Sequence, residues 1–125
     1  MPSILSIDDS KMMRNMIGGS IEALGYIFRE AENGRDGLAV LDEFHEDIEL
    51  VLLDVNMPVL DGFGVLSAMK QDSRLKDIPV IMVTTEGERA RIIQAIRMGA
   101  ANYVVKPFTP EDLATKILDA LGQGF

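Results

Sequence analysis

Acidic residues, threonines and one lysine stand directly after apolar runs in this 125-residue sequence. Asp8 and Asp9 follow the first such run, Asp54 the third, Thr84 the fourth and Lys106 the fifth. Three carboxylates brought together without a counter-charge would repel one another or force one of them to bind a proton. We therefore expect a divalent cation, the lysine, or both, at the point where these residues meet.

The chemistry of the donors indicates which cation that would be. Carboxylate oxygens are hard ligands, and three of them are too few for a closed protein cage, so positions remain for water and a phosphate. This donor set favours Mg²⁺, with Mn²⁺ as a substitute, over Ca²⁺ or Zn²⁺. The pattern thus predicts phosphoryl chemistry.

The elements that must position these residues alternate along the chain. Short apolar, β-branched runs predict five buried strands, at Ile4–Ile7, Tyr26–Arg29, Leu50–Leu53, Val80–Val83 and Tyr103–Val105. Apolar residues at helical spacing predict five helices, at Lys11–Leu24, Arg35–Phe44, Phe63–Gln71, Glu88–Met98 and Glu111–Leu121. Such alternation predicts a doubly wound α/β domain, in which a parallel sheet is covered by helices on both faces. Open sheets of this kind place ligands beyond the carboxyl ends of their strands, where all the residues above would lie.

Composition limits the function classes. With 47% hydrophobic and 26% charged residues, residues 1–125 are expected to form one globular domain. No apolar run approaches the roughly 20 residues that span a bilayer, and the first residues lack the features of a signal peptide, so we expect a cytoplasmic protein without membrane insertion. The net charge of −8 argues against nucleic acid and favours protein partners. The eight methionines, Met12 and Met16 among them, are interpreted as core residues.

Over essentially its whole length, the chain resembles the receiver domains of bacterial response regulators in two-component systems. The shared motifs are Asp8-Asp9, Leu53-Asp54-Val55-Asn56-Met57-Pro58, Asp61-Gly62, Thr84 and Lys106-Pro107. Further matches at Asn56, Glu86, Tyr103 and residues 104–109 make the single-domain chemotaxis regulators of the CheY type the most similar members. The resemblance implies a flavodoxin-like, five-stranded parallel sheet in the order 2-1-3-4-5.

The resemblance also implies a role for each site residue. Asp54 would accept the phosphoryl group from a histidine kinase and become an aspartyl phosphate. Asp9 and Asp54 would bind Mg²⁺ directly, the backbone carbonyl of Asn56 would be a third ligand, and Asp8 would act largely through water and hydrogen bonds. The protein would be a signalling switch rather than an enzyme, although it takes part in its own phosphorylation and dephosphorylation.

Two further residues would contact the phosphoryl group. Lys106 would pair with Asp54 before phosphorylation and with a phosphoryl oxygen afterwards, and the Lys106-Pro107 peptide is usually cis in this family. The hydroxyl of Thr84 would bind another phosphoryl oxygen. Thr85, which follows it where relatives usually have a smaller residue, is expected to narrow access to the phosphorylated carboxylate.

The output surface implied by the resemblance is built from the fourth helix, the fifth strand and the fifth helix. Its residues here would be Ile92, Tyr103 and Lys116, with Thr84, Thr85 and Glu86 completing the switch. A flagellar motor switch protein is the first expected partner of a monomeric chain. The alternative is a phosphorelay intermediate that passes its phosphoryl group to a histidine phosphotransfer protein, and a phosphatase is a further expected partner.

Two other function classes remain open on the residues alone. An aspartate-nucleophile phosphatase of the haloacid dehalogenase type also combines aspartate, threonine, lysine and Mg²⁺, but its nucleophile follows the first strand in an Asp-x-Asp pattern that Asp8-Asp9-Ser10 does not provide. A flavin-binding flavodoxin would need a phosphate loop rich in Ser, Thr and Gly after the first strand. The acidic pair there would repel the flavin phosphate.

Overall fold

The computed structural model describes residues 2–85 and 89–122. Strands and helices alternate through these ranges. The strands are β1 Ser3–Ile7, β2 Ile27–Ala31, β3 Ile48–Asp54, β4 Val80–Thr85 and β5 Asn102–Lys106. The helices are α1 Lys11–Ala23, α2 Gly34–Phe44, α3 Gly62–Lys70, α4 Arg89–Arg97 and α5 Pro110–Ala120. Glu86 and Glu88, which were placed in the switch and in the fourth helix, lie outside the described residues.

The five strands form one parallel sheet in the order β2-β1-β3-β4-β5, which confirms the doubly wound fold and the strand order. The central strands are buried on both faces because each carries apolar residues on both sides. In β1, for example, Ile4 packs into one core, whereas Leu5 and Ile7 pack into the other. Burying one such side chain fully contributes about 1.5–3 kcal/mol.

Two hydrophobic cores lie on opposite faces of the sheet. One holds Ile17 and Ile21 of α1 together with Leu113 and Ile117 of α5. The other holds the apolar residues of α2, α3 and α4, such as Leu41, Val65 and Ala95. The helices therefore cover the two faces of the sheet and leave the carboxyl ends of the strands free, so the loops at that edge are available to form a site.

The helix boundaries follow capping chemistry. Ser10, Asn33, Asp61 and Thr109 each accept a hydrogen bond from the backbone N–H three residues later at the start of α1, α2, α3 and α5. After α4, Gly99 has a φ of 103°, a left-handed conformation that favours glycine. Polar capping residues thus determine where these four helices begin, and a glycine follows the end of α4.

Several predictions of detail were wrong, and among them is the start of β3, which lies at Ile48 and not at Leu50. Strand β2 was predicted to end at Arg29, but it continues to Ala31 because β1 pairs with it through Ile7 and Ala31. The methionines are not uniformly core residues: Met69 is fully buried, but Met12 is 82% exposed and Met16 is 40% exposed on α1. Within the described residues, no helix combines the length and apolar character needed to cross a bilayer.

Candidate functional site

Three carboxylates converge at the carboxyl edge of the sheet. Strand β1 pairs with β3 so that Ile7 lies beside Leu53, and the residues that follow both strands emerge together. Oxygens of Asp8, Asp9 and Asp54 lie within 4.8 Å of one another. Asp8 is 2% exposed and Asp54 is 5% exposed, whereas Asp9 faces solvent. The structure therefore brings together the three carboxylates that were predicted for the metal site.

Asp8 is held in place on both its side chain and its backbone. Its Oδ1 accepts a hydrogen bond from the backbone N–H of Ser10 at 2.9 Å. Its carbonyl accepts one from Nη1 of Arg14, whose Nε donates to Glu30 Oε1 at 2.7 Å. The β1–α1 loop is thus tied to α1 and β2 at the point where it supplies two of the carboxylates.

Arg14 was missed by the sequence reasoning. It is only 8% exposed, and its guanidinium supports the loop that carries Asp8. A signal was present, because Arg14 lies three and seven residues before Ile17 and Ile21, on the buried face of α1. A charged residue at a buried helical position normally has a specific partner.

Lys106 at the end of β5 supplies the positive charge. Its Nζ lies 3.3 Å from Asp8 Oδ2 and 3.6 Å from Asp54 Oδ1. A pairing with Asp54 alone was expected from the family resemblance, and Asp8 is the nearer partner in the structure. The Lys106–Pro107 peptide is cis, as the family resemblance implied.

Burial is the main reason that Asp54 has an unusual pKa. Desolvation, followed by the neighbouring charge of Asp8 and a smaller effect of Asp9, raises the pKa of the Asp54 carboxyl to about 7. The Lys106 ammonium and the backbone N–H of Asn56, 3.4 Å from Asp54 Oδ1, oppose that rise. One ammonium therefore does not compensate for the burial of Asp54 beside other carboxylates.

The donor set fits a hard divalent cation. Three carboxylates face one ammonium, which leaves an excess of negative charge in a largely buried pocket. A cation bound by these oxygens would lower the pKa of Asp54 and keep it ionised. Oxygen ligands of this kind suit Mg²⁺ or Mn²⁺.

The loop between β3 and α3 closes tightly over the end of β3. Gly62 donates its N–H to the carbonyl of Val55 at 3.0 Å, and a Cβ at Gly62 would collide with the backbone of Asp54 and Val55. This close approach explains why glycine follows Asp61 here. Val59 in the same loop is 73% exposed and has a φ of 74°, which is strained for a β-branched residue.

The switch residues lie at the ends of β4 and β5. Thr84 is buried beside Val105, and Thr85 is exposed beside Lys106 in the strand register. Both threonines therefore flank the same edge as the carboxylates, at the positions expected from the sequence. Glu86, the third expected switch residue of this segment, is outside the described ranges.

Two of the three expected output residues are neighbours in the structure. Nζ of Lys116 lies 5.0 Å from the centre of the half-buried Tyr103 ring and 3.4 Å from Asn102 Oδ1. Phe108 and Asp112 line the same groove between β5 and α5. Ile92 is half-buried on α4.

Comparison with known proteins agrees with this architecture. The profile of the response regulator receiver domain family matches residues 4–118. The chain is 42% identical over 120 residues to the chemotaxis protein CheY1 of Helicobacter pylori, covering 95% of this chain and 96% of the relative. It is 39% identical over 122 residues to the chemotaxis protein CheY homolog of Campylobacter jejuni, covering 97% and 93%.

Solved structures give the same result. The structure of the Vibrio cholerae chemotaxis protein CheY4 superimposes with a TM-score of 0.89 at 33% sequence identity, covering 97% of this chain and 99% of that one. These relatives are similar along nearly the whole described chain, and not only at the carboxylate cluster.

Proposed function

The chain belongs to the response-regulator receiver family and is CheY-like, and we propose that it is a phospho-acceptor switch in which Asp54 receives a phosphoryl group from a histidine kinase. The observation that carries this proposal is the buried Asp54 carboxylate, set within 4.8 Å of oxygens of Asp8 and Asp9 and 3.6 Å from Nζ of Lys106. A lone buried carboxylate would be a costly structural residue. Next to two further carboxylates that can bind a metal ion, and to the ammonium of Lys106, Asp54 can act as a nucleophile.

In the proposed transfer, a carboxylate oxygen of Asp54 forms a bond to phosphorus while the bond between phosphorus and the donor histidine nitrogen breaks. The nitrogen keeps the bonding electron pair. Lys106 would move its ammonium from Asp54 to a phosphoryl oxygen. It would keep its contact with Asp8, which lies 3.3 Å away. Thr84 would donate its hydroxyl to a second phosphoryl oxygen. Positioning and electrostatic stabilisation supply most of the catalysis in reactions of this kind.

We propose Mg²⁺ as the cation of the site, with Mn²⁺ as a substitute. Asp9 and Asp54 would bind it directly, the backbone carbonyl of Asn56 would contribute a further oxygen, and Asp8 would act through water and hydrogen bonds. When bound, the ion would neutralise charge on the oxygens during transfer. The excess negative charge of the carboxylate cluster supports this assignment.

Output would pass through the surface formed by α4, β5 and α5. Tyr103 lines a groove beside Lys116 and is only half-buried, so a partner can contact its ring. Thr84 and Thr85 link this surface to the site, because both flank β5 in the sheet. The names of the Helicobacter and Campylobacter relatives support a role in chemotaxis. A flagellar motor switch protein would then be the partner.

The 125 residues would act as one monomeric receiver domain in the cytoplasm, where a histidine kinase has access to ATP. The family match over residues 4–118 supports the single-domain assignment.

Incubation with a small acyl phosphate and Mg²⁺, followed by intact-mass measurement, tests the proposed function. Wild-type protein should gain one phosphoryl group, and Asp54→Asn or an excess of chelator should abolish the gain. Asp72→Asn, an aspartate in the loop between α3 and β4, is the matched control and should be phosphorylated like the wild type. Modification that persists in Asp54→Asn, or that proceeds without a divalent cation, would contradict the assignment.

A further inference from the structure

An arginine of α4 reaches the mouth of the carboxylate site. Nη1 of Arg91 donates a hydrogen bond to Oδ1 of Asn56 at 2.9 Å, and its guanidinium carbon lies 5.7 Å from the centre of the Phe63 ring. Asn56 is exposed, only two residues after the buried Asp54, and its backbone N–H points to Asp54 Oδ1. The guanidinium therefore lies where the pocket opens to solvent.

The Arg91 and Lys106 side chains carry the same charge but have different partners. Lys106 faces two carboxylates, so its charge is shared between them. Across residues 2–85 and 89–122, the polar partner of Arg91 is a neutral amide. A guanidinium has five N–H donors in one plane and binds phosphate or carboxylate oxygens in pairs. Arg91 thus presents a cation that an anion entering the pocket can contact.

An anion that approaches this pocket is repelled by the negative charge of the protein. The protein carries a net charge of −8, and the pocket itself holds three carboxylates against the single ammonium of Lys106. A small acyl phosphate carries two negative charges near neutral pH and is repelled by both. A cation at the rim lowers the cost of this approach and raises the local concentration of the anion.

We propose that Arg91 binds the anionic phosphodonor at the rim of the site and makes the protein prefer donors of high negative charge. This inference rests on the proposed function, since it presupposes transfer to Asp54. With an acyl phosphate, an Asp54 oxygen bonds to phosphorus while the phosphorus–oxygen bond to the acyl group breaks. The acid's carboxylate leaves with the electron pair, and no proton is required.

A purely structural role for Arg91 makes a different prediction. If the guanidinium only ties α4 to the loop between β3 and α3, removing it would loosen Asn56, whose carbonyl is a proposed metal ligand. Mg²⁺ affinity and phosphorylation would then fall together. If Arg91 binds the donor, its removal takes a positive charge from the rim, so Mg²⁺ should bind equally well or more tightly while phosphorylation slows.

The test compares Arg91→Met with Arg97→Met, which removes the same charge from the last turn of α4, about 9 Å further along the helix axis. Rates are measured by intact mass with Mg²⁺ and two donors. Acetyl phosphate carries two negative charges, whereas phosphoramidate carries less net charge because its nitrogen is protonated. Mg²⁺ affinity is measured separately by metal titration without a donor.

We expect Arg91→Met to lower the second-order rate constant about five- to tenfold with acetyl phosphate and about twofold with phosphoramidate, as loss of one charge-assisted contact would. Arg97→Met should stay within about twofold of wild type with both donors, since a distant exposed charge is screened by salt. Mg²⁺ affinity should not fall in either variant.

Three results would overturn the inference alone: equal effects of the two substitutions, equal losses of Arg91→Met with both donors, or a parallel loss of Mg²⁺ affinity. A wild-type protein that neither donor phosphorylates on Asp54 would overturn the proposed function and this inference together. Normal phosphorylation of the wild type with no effect of Arg91→Met would overturn this inference and leave the proposed function standing.

Discussion

Two clusters in this protein each place one cation beside two carboxylates, at opposite edges of the sheet. At the carboxyl edge, Lys106 contacts Asp8 and Asp54, which are almost fully buried. There the pKa of Asp54 is raised to about 7, because desolvation and the Asp8 charge outweigh the ammonium. The ammonium of Lys106 is therefore not sufficient to keep the buried Asp54 carboxyl ionised at neutral pH.

The second cluster joins the loop before β4 to Asp42 in helix α2. Arg74 contacts Asp42 at 2.9 Å and Asp72 at 3.0 Å, and all three side chains are substantially exposed. Hydrogen bonds from the Arg74 side chain and backbone lower the pKa of the Asp72 carboxyl, and the hydrogen bonds that Arg74 donates to Asp72 and Asp42 raise the pKa of its guanidinium. Asp72 and Arg74 are thus both stabilised in their charged forms.

The difference shows that burial, and not the identity of the residues, determines the sign of the pKa shift. In water, a carboxylate beside a cation loses little solvation and becomes easier to ionise. At the carboxyl edge of the sheet, the same combination of charges is buried, and the lost solvation of the carboxylates is not fully offset by the ammonium. A bound metal cation would offset the rest. The exposed cluster is an ordinary surface ion network, and the buried one is a site.

The largest expected effect comes from removing the buried charge with Asp54→Asn. The folded pKa of about 7 exceeds the ordinary 3.8, so the folded protein binds more protons than the unfolded chain between these values. Stability from this group therefore falls as pH rises from about 4 to about 7. In chelator at about pH 8, the variant should be more stable by roughly 2–4 kcal/mol, and the gap should vanish near pH 4.

Denaturant unfolding at both pH values measures this gap. Asp72→Asn in the exposed cluster is the control, and it should be slightly less stable than the wild type at about pH 8, because it removes a favourable contact. A gap between wild type and Asp54→Asn that is the same at both pH values would mean that Asp54 is not strained by burial. Lys106 does not reverse the sign, because Asp8 remains as its nearer partner.

A second comparison sets two arginines against each other. The Arg14 side chain is 10% exposed and holds the Asp8 carbonyl and Glu30, whereas the Arg74 side chain is 45% exposed. Arg14→Met should cost about 2–3 kcal/mol of unfolding free energy, since it leaves a largely buried carbonyl without its charged donor. It should also weaken Mg²⁺ binding by loosening the loop that carries Asp8.

Arg74→Met is the matched substitution and should leave Mg²⁺ affinity unchanged, with only a small shift of the melting temperature. Unfolding curves and metal titrations of both variants provide the measurements. If the two substitutions had equal effects on stability and on Mg²⁺ binding, the buried arginine would have no special role at the site.

The smallest expected effect concerns backbone strain beside the site. Val59 has a φ of 74° and an exposed side chain, so it loses little burial on substitution. Val59→Asn should raise the unfolding free energy by about 1 kcal/mol, because asparagine adopts the left-handed conformation more readily. Ile93→Asn on α4, an exposed apolar residue within a helix, is the control and should not stabilise. An unchanged or lower stability of Val59→Asn would argue against strain in this loop.

Much of the fold could be predicted because local pattern and global architecture agree. Continuous apolar runs indicate strands buried on both faces, and helical spacing of apolar residues indicates the helices between them. The predicted end of β2 was wrong because Glu30 and Ala31 have no strand pattern, and their pairing with β1 makes them part of the sheet. The interpretation of Met12 and Met16 was wrong because methionine alone does not report which face of α1 is buried.

The sequence by itself determined which residues stand at the strand ends, and hence that Asp8, Asp9, Asp54 and Lys106 meet at one edge. Only the tertiary structure decided how they meet. It placed Lys106 nearer to Asp8 than to Asp54, buried two of the carboxylates, and supported their loop with Arg14. Element type and side-chain period follow from local pattern, and the strand order was implied only by the family resemblance. Solvation and the distance between residues far apart in the chain depend on how the elements pack. The raised pKa of Asp54 is therefore a property of the folded protein alone.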